Sequence, residues 1–451
     1  MNAVTLDHSA MPGEAALQSW WMPFTHNRHF KAHPRLIASG KGAYYQLVDG
    51  RRVFDGLSGL WCCPLGHSPD RVVEAVQRQV ATLDFSPSFQ MGHPAAFTLA
   101  SRIAEFAGRP NDKVFFVNSG SEAVDTALKI AVAYHRARGD STRTRIIGRE
   151  RGYHGVGMGG ISVGGIPANR KMFASLMIPG VDHLPHTFEP AKMGYSRGQP
   201  EWGLHLADEL ERIVALHDAS NIAAVIVEPM QGSTGVIVPP KGYLKRLREI
   251  CTKHGILLIF DEVITGFGRL GTPFANKFFD VEPDLITFAK AVNNAAVPLG
   301  GVIASSAIYD AFMTGPEHMV EFFHGYTYSA HPLGVAAAHA TLDEMQHRKL
   351  IDRAAALAPV LEDAVHSLRG EPLVADIRNL GFSAAVDVTP VPGKPALRAY
   401  QVFQHAMNRG LMPRFTGETL ALAPPFISTE DEVRSAVDIL RESLRAAAKA
   451  A

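Results

Sequence analysis

Cysteine is scarce in this chain: Cys62, Cys63 and Cys251 are the three found in 451 residues. An odd count with two side by side makes no disulfide framework, and it points to a reducing compartment, with the cytoplasm as the expected address. Long hydrophobic runs are missing as well, since none approaches the roughly 18 residues that cross a bilayer. The N-terminus lacks the basic-then-apolar order of a secretion signal, and its Trp20–Trp21 pair soon meets Pro23, Thr25 and His26. A soluble protein, not a membrane protein, is therefore expected. Charge of one sign is not in excess either: 44 Lys and Arg stand against 44 Asp and Glu. That balance offers no broad field to nucleic acid or to an anionic membrane, which leaves small molecules as the expected partners. Internal repeats and low-complexity tracts are absent.

What is present begins with length. At about 150 residues per domain the chain has room for two or three domains and a large buried core. Residues 43–55 alternate around Asp49-Gly50, a pair that supplies the positive φ angles of a tight hairpin. A Gly- and Trp-bearing loop follows over 57–66. From Ser121 onward, Val124, Ala127, Leu128 and Ala131 recur at helical spacing, so a helix is expected to start close to Gly120 and Ser121. Near-continuous apolar runs at 223–227, 256–260 and 285–289 read as parallel strands buried on both faces, with a helical pattern at 242–254 between two of them. Strand, helix and strand in that order argue for an α/β fold with an open, crossover-connected sheet, whose ligands sit at the carboxyl ends of the strands. The last third is different in character. It has helical stretches over 333–369, breaks at Pro390, Pro392 and Pro395, and a final helix capped by Thr429 and Glu432 with Val433, Ala436, Val437 and Leu440 on one face.

Each of the three apolar runs ends in a polar residue: Glu228, Asp261 and Lys290. Such residues are expected to converge at one sheet edge. A lysine there would be desolvated and lower in pKa, as an amine that attacks an aldehyde must be, and an aspartate beside it could hold a pyridinium nitrogen protonated. Taken alone, Lys290 reads more readily as a solvent-exposed residue after a strand. Ser119, Gly120 and Ser121 offer free amides and a positive helix end that suit a phosphate, or else an ordinary N-cap. Tyr153, in Gly152-Tyr153-His154-Gly155, is either core or a ring stacked on a cofactor.

Together with Leu57-Ser58-Gly59-Leu60-Trp61, Ser119-Gly120-Ser121-Glu122, Val227-Glu228-Pro229, Phe260-Asp261-Glu262-Val263 and His324-Gly325-Tyr326-Thr327-Tyr328, these pieces carry a resemblance over most of the chain. The sequence resembles the class III, or ω-amino acid, aminotransferases of pyridoxal-phosphate (PLP) fold type I, and within them the β-alanine:pyruvate enzymes. The resemblance implies a large domain with a mostly parallel sheet and helices on both faces, over 81–335. It also implies a smaller α+β domain built from the two chain ends, 1–80 and 336–451. PLP is the implied cofactor, carried by Lys290 as a Schiff base, with Lys290 also shuttling the proton between two carbon centres. Asp261 is implied to pair with the ring nitrogen and Glu228 to support Asp261. Gly120, Ser121 and a neighbouring subunit's Thr327 would hold the phosphate, and Tyr153 and Val263 would sandwich the ring. A homodimer, or a dimer of dimers, follows. Trp61, Phe24 and the segment from Phe85 to Phe89 are implied pocket walls, with Tyr153 beside them. Arg414, on an expected loop between Pro413 and Gly417, matches the arginine that receives substrate carboxylate, a bidentate task suited to guanidinium. The implied reaction moves an amino group from a β-alanine-like ω-amino acid or a primary amine to pyruvate.

Two residues depart from the family pattern. Ala421 stands where members with β-alanine preference often carry a carboxylate-binding glutamine, and Asn118 where relatives tend to have glycine. Other motifs lead elsewhere and fail. Residues 155–160 satisfy G-x-G-x-x-G, but Gly164, Gly165 and Pro167 break the helix that a dinucleotide site needs. The run 257–262 resembles the acidic motif of an NTPase, yet no phosphate-binding G-x-x-x-x-G-K-[ST] precedes it. His183 and His186 flank Pro185, which spoils a helical zinc pair, so no metal is expected. Decarboxylases and aminomutases of the same fold share the lysine, aspartate and phosphate loop, and they remain the alternative reading.

Overall fold

In a computed structural model of the protein, His8 and residues 10–449 are described. Residues 1–7 and 9 of the expected N-terminal segment, and residues 450–451 of the C-terminal one, lie outside them. Seven strands form the main sheet, in the spatial order Lys113–Val117, Gly300–Ala304, Leu285–Phe288, Leu257–Asp261, Ile222–Val227, Arg145–Arg149 and Val181–Leu184. All pairings are parallel except the two made by Gly300–Ala304, which runs against both of its neighbours.

The apolar runs are continuous because the sheet is covered on both sides. Val225, Val227, Leu258 and Phe260 pack in one cluster with Leu244 and Leu247 of the helix Tyr243–His254. Their alternates Ile226, Leu257 and Ile259 pack in another with Val124, Ala127 and Ala131 of the helix Gly120–Ala137. Successive side chains of a strand point to opposite faces, so a strand between two helix layers must be apolar at every position. Each fully buried Leu, Ile or Phe contributes about 1.5–3 kcal/mol to this arrangement.

Two smaller sheets accompany the main one, the first of which joins the two ends of the chain. The hairpin Tyr44–Leu47 and Arg52–Asp55 gains the strand Ile37–Lys41 on one side and, in parallel, Leu411–Met412 on the other. Its turn differs from the expectation at Asp49. Only Gly50 takes a positive φ, 85°. Asp49 instead uses its carboxylate to accept from the Arg51 amide at 3.1 Å, the pattern of a longer turn closed by one left-handed glycine. The third sheet orders Val374–Asn379, Ala384–Val388, Thr419–Leu422 and Arg414–Thr416. Arg414 thus belongs to a strand that pairs with Ala421, not to the expected loop.

Around residues 155–160 the structure also corrects the sequence reading. A helix does begin inside the motif, Met158–Val163, though it ends after six residues at Gly164. Its glycines serve close packing: a Cβ on Gly157 would stand 2.3 Å from the Asp125 carboxylate, and one on Gly160 2.3 Å from the His154 carbonyl. Among the described residues no helix is long and apolar enough to cross a membrane, and no side-chain cluster is fit to hold a metal.

The last helix, Glu430–Lys449, starts with the expected reciprocal cap. Glu432 N donates to Thr429 Oγ1 at 3.2 Å while Thr429 N donates to the Glu432 carboxylate at 2.8 Å. Thr429→Ala removes half of this box and is expected to cost about 1 kcal/mol. Thermal unfolding should then show a lower midpoint, and a midpoint equal to wild type would mean the box contributes nothing.

Candidate active site

Three strand ends and one helix start meet at the carboxyl edge of the main sheet. There Gly120, Ser121, Tyr153, His154, Gly155, Glu228, Asp261, Val263, Ile264 and Lys290 line a cavity of about 140 Å³. The helix start is built locally. Ser119 caps it by accepting from Glu122 N at 3.2 Å, and the Glu122 carboxylate returns to the amide of Asn118 at 2.7 Å and to its side chain at 3.1 Å. This gives Asn118 a use that glycine could not supply. The amides of Gly120 and Ser121, in the first helical turn, are left free of intrahelical acceptors. Close approach keeps this corner open. A Cβ on Gly120 would meet Val263 Cγ1 at 3.0 Å, and one on Gly155, whose φ is 89°, would meet Ser121 Oγ at 2.4 Å.

Asp261 is the best-held group in the site. Its Oδ1 accepts from Thr287 Oγ1 at 3.0 Å and from Val263 N at 3.2 Å, and its Oδ2 lies 2.8 Å from His154 Nδ1. A buried carboxylate takes the proton on Nδ1 as a donor, while His154 Nε2 has no hydrogen-bond partner among the described residues. The expected support from Glu228 is not made. Glu228 instead accepts from Tyr153 N at 2.9 Å and Gly232 N at 3.3 Å, fixing the backbone of two loops, and burial pushes its carboxyl up to about 7. His154 and Thr287 thus join the site although the sequence by itself assigns them no role. His154 lies within Gly152-Tyr153-His154-Gly155, and Thr287 is the one hydroxyl in the otherwise apolar strand Leu285–Phe288.

Lys290 begins a one-turn 3-10 helix directly after that strand and has φ 52°, a left-handed conformation rare for a residue with a Cβ. Burial lowers its pKa, with the Asp261, Cys62 and Glu228 charges opposing and Arg414 adding to the shift. Arg414 in turn is lowered by burial, and only Tyr153 opposes. The Arg414 guanidinium makes no ion pair among the described residues, with no carboxylate among the charges that shift it, and its Nε has no hydrogen-bond partner. It faces a second cavity of about 430 Å³ that it shares with Phe24, His26, Leu60 and Phe415.

Other expected wall residues lie apart from the Lys290 cavity. Trp61 is 3% exposed and packed in the core. The Phe85 ring stands 6.1 Å from Tyr328 and 6.0 Å from His331, and a Cβ on Gly325 would touch Phe89 at 2.9 Å. Thr327 is exposed on this same segment and lines no cavity with Lys290.

A family model described as aminotransferase class-III matches residues 25–444. The chain belongs to the class-III aminotransferases. An omega-aminotransferase of Caulobacter vibrioides is 57% identical over 432 residues, covering 96% of this chain and 98% of that protein. A beta-alanine–pyruvate aminotransferase of Pseudomonas aeruginosa is 51% identical over 434 residues, 96% of each. Among solved structures, a thermostable omega transaminase 6-fold mutant from Pseudomonas jessenii superposes with a TM-score of 0.91 at 30% identity, over 98% of this chain and 99% of that one. A PLP-bound amine transaminase from an uncultivated Pseudomonas species gives 0.86 at 34% identity, over 96% and 98%. The decarboxylase and aminomutase alternative gains no support from these relatives.

The residues at the aminotransferase's sheet edge fit PLP. Free amides at a helix start suit its phosphate, a buried carboxylate its pyridinium nitrogen, and a desolvated amine its aldehyde. Because His154 holds Asp261 Oδ2, His154→Phe should lower kcat by about ten- to a hundredfold, the effect of about 1.5–3 kcal/mol for a hydrogen bond to a charged group. Turnover measured at saturating PLP tests this, and an undiminished kcat would leave Thr287 and the Val263 amide as sufficient support.

Proposed function

We propose that the protein transfers an amino group from a β-alanine-like ω-amino acid or a primary amine to pyruvate, releasing a semialdehyde or ketone and then alanine in two half-reactions. When bound, PLP supplies an electrophilic carbon for the incoming amine and an electron-withdrawing ring. The chain supplies the rest. Lys290 Nζ, desolvated and lowered in pKa, is suited both to hold the cofactor and to take a proton from the donor's reacting carbon and return it elsewhere. Asp261, fixed at both oxygens, presents an oriented carboxylate to the ring nitrogen. Gly120 and Ser121 would hold the phosphate of PLP, and Tyr153 and Val263, which line the same cavity, would flank its ring. The Ser121 hydroxyl oxygen accepts from Val156 N at 3.0 Å, so its proton stays available to an anion.

The observation that carries the acid specificity is the unpaired Arg414. A guanidinium withdrawn from water without a carboxylate is costly, and a substrate acid that pairs with it relieves that cost. Ala421, directly opposite in the strand pairing, brings only a methyl group. Arg414 then becomes the main carboxylate partner of both β-alanine and pyruvate, although the two place that group at different distances from the reacting carbon. With its backbone fixed in a strand, only the long side chain can adjust. Phe24 walls the cavity on the outer side, and Trp61 is assigned to the pocket through the family resemblance.

A homodimer completes the proposal. Phe85, Phe89, Met91, Phe323 and Tyr328 are exposed together with Thr327, an apolar surface well suited to a second copy whose phosphate Thr327 would reach. In this proposal the chain divides into 1–80, 81–335 and 336–451 and works in the cytoplasm. Sedimentation at assay concentration should show no active monomer. An active monomer would remove Thr327 from the site.

Screening donors against pyruvate with the purified holoenzyme tests the reaction, and Lys290→Ala should retain no turnover. Arg414→Ala should cost about 2–5 kcal/mol in apparent transition-state binding of pyruvate and β-alanine. Amines without a carboxylate should suffer far less when the donor half-reaction is followed alone by the cofactor's absorbance. Equal slowing of both donor kinds would make Arg414 structural.

A further inference from the structure

The loop after the N-terminal hairpin follows an uncommon path. Ser58, Gly59 and Trp61 have φ of 50°, 67° and 66°. Asp55 holds it by accepting from the amides of Leu57 at 3.1 Å and Gly59 at 2.5 Å, and Ser58 Oγ donates to Ala423 O at 2.7 Å. The path ends on two adjacent thiols, Cys62 and Cys63, whose sulfurs lie 3.8 Å apart. The Leu60 amide points at Cys62 Sγ from 3.4 Å. Glycine at 59 makes room for the pair, since a Cβ there would stand 3.2 Å and 3.3 Å from the two sulfurs.

The two thiols differ in surroundings. Cys62 is half-buried and feels the charge of Lys290, while Cys63 is buried yet lines a separate cavity of about 410 Å³ with Tyr45, His67 and Asn294. The hydrogen bond from Cys63, the Leu60 amide and the Lys290 charge all favour a thiolate at Cys62, whereas Cys63 is held as the thiol. Cys251, buried in the helix Tyr243–His254, has its thiol pushed up to about 12 and serves as an inert reference.

We propose that Cys62 and Cys63 form a peroxide-responsive modification site in the loop after the N-terminal hairpin, which oxidation closes into a disulfide between adjacent residues and reduction reopens. The Cys62 thiolate attacks one oxygen of hydrogen peroxide; an S–O bond forms, the O–O bond breaks, and the other oxygen leaves as hydroxide, protonated to water. Cys63 sulfur, losing its proton, then attacks Cys62 Sγ; the S–S bond forms, the S–O bond breaks, and a second water leaves. Two thiols lose two electrons, and the peroxide gains them. The sulfurs must close from 3.8 Å to about 2.05 Å, which pulls on the Trp61–Cys63 stretch and on the loop that Asp55 and Ala423 anchor. Amino transfer is thereby switched off until a thiol reductant restores both groups. The mass readout below stands whatever reaction the site performs.

The holoenzyme is treated with hydrogen peroxide, free thiols are alkylated in denaturant, and peptides are weighed. The fragment holding both cysteines should be about 2 Da lighter than its reduced form and unalkylated, while Cys251 is alkylated. Activity should fall in proportion to that fragment and return with dithiothreitol. Cys63→Ser should stop at a sulfenic acid on Cys62 that dimedone captures, and Cys62→Ser should keep its activity through the treatment. The proposal is overturned if both cysteines remain alkylatable after peroxide. It is equally overturned if Cys62→Ser is inactivated as fast as wild type, or if the disulfide forms without loss of turnover.

Discussion

A carboxylate cut off from water governs this site. Asp261 ends a strand buried on both faces, and an ion in such a place costs several kcal/mol unless donors surround it. The parallel register sets Asp261 beside Thr287, so one donor comes from the neighbouring strand, one from the Val263 amide and one from His154. The same register places Lys290, three residues beyond Thr287, at the same edge. The amine and the carboxylate are thus brought together by strand pairing, before any cofactor binds.

Two buried cations, Lys290 on the first cavity and Arg414 on the second, are held differently. Lys290 sits among acidic groups that partly offset its desolvation, whereas Arg414 is offset only by Tyr153. Under the proposed function that difference separates chemistry from recognition. An amine with a lowered pKa is suited to react, and an unpaired guanidinium to bind an acid. Ala421 opposite Arg414 would then leave recognition to one side chain. The glycines at 120 and 155 serve the same economy of space, because a methyl group at either would fill the corner offered to phosphate.

The loop that carries Trp61, Cys62 and Cys63 links the two chain ends to the chemistry. Asp55 and Ala423, far apart in sequence, both anchor it, and its sulfurs reach the electrostatic neighbourhood of Lys290.

Much of this was legible in the sequence. Continuous apolar runs demanded a sheet covered on both faces, polar residues at their ends demanded a common edge, and Thr429 with Glu432 announced the last helix. Those features follow from local chemistry and period, which a linear string records. What the string could not record is which donor meets which acceptor across the fold. Glu228 was expected to support Asp261, but the register turns it toward the amides of Tyr153 and Gly232. His154 and Thr287, unremarkable in sequence, take that task because folding brings them within 3.0 Å of the carboxylate. Arg414 looked like a loop residue, yet pairing with Ala421 made it part of a strand. Sequence alone determined the layered α/β fold and the residue types at its edge; tertiary structure decided the partners, because hydrogen bonds act over a few ångströms between residues that may lie a hundred positions apart.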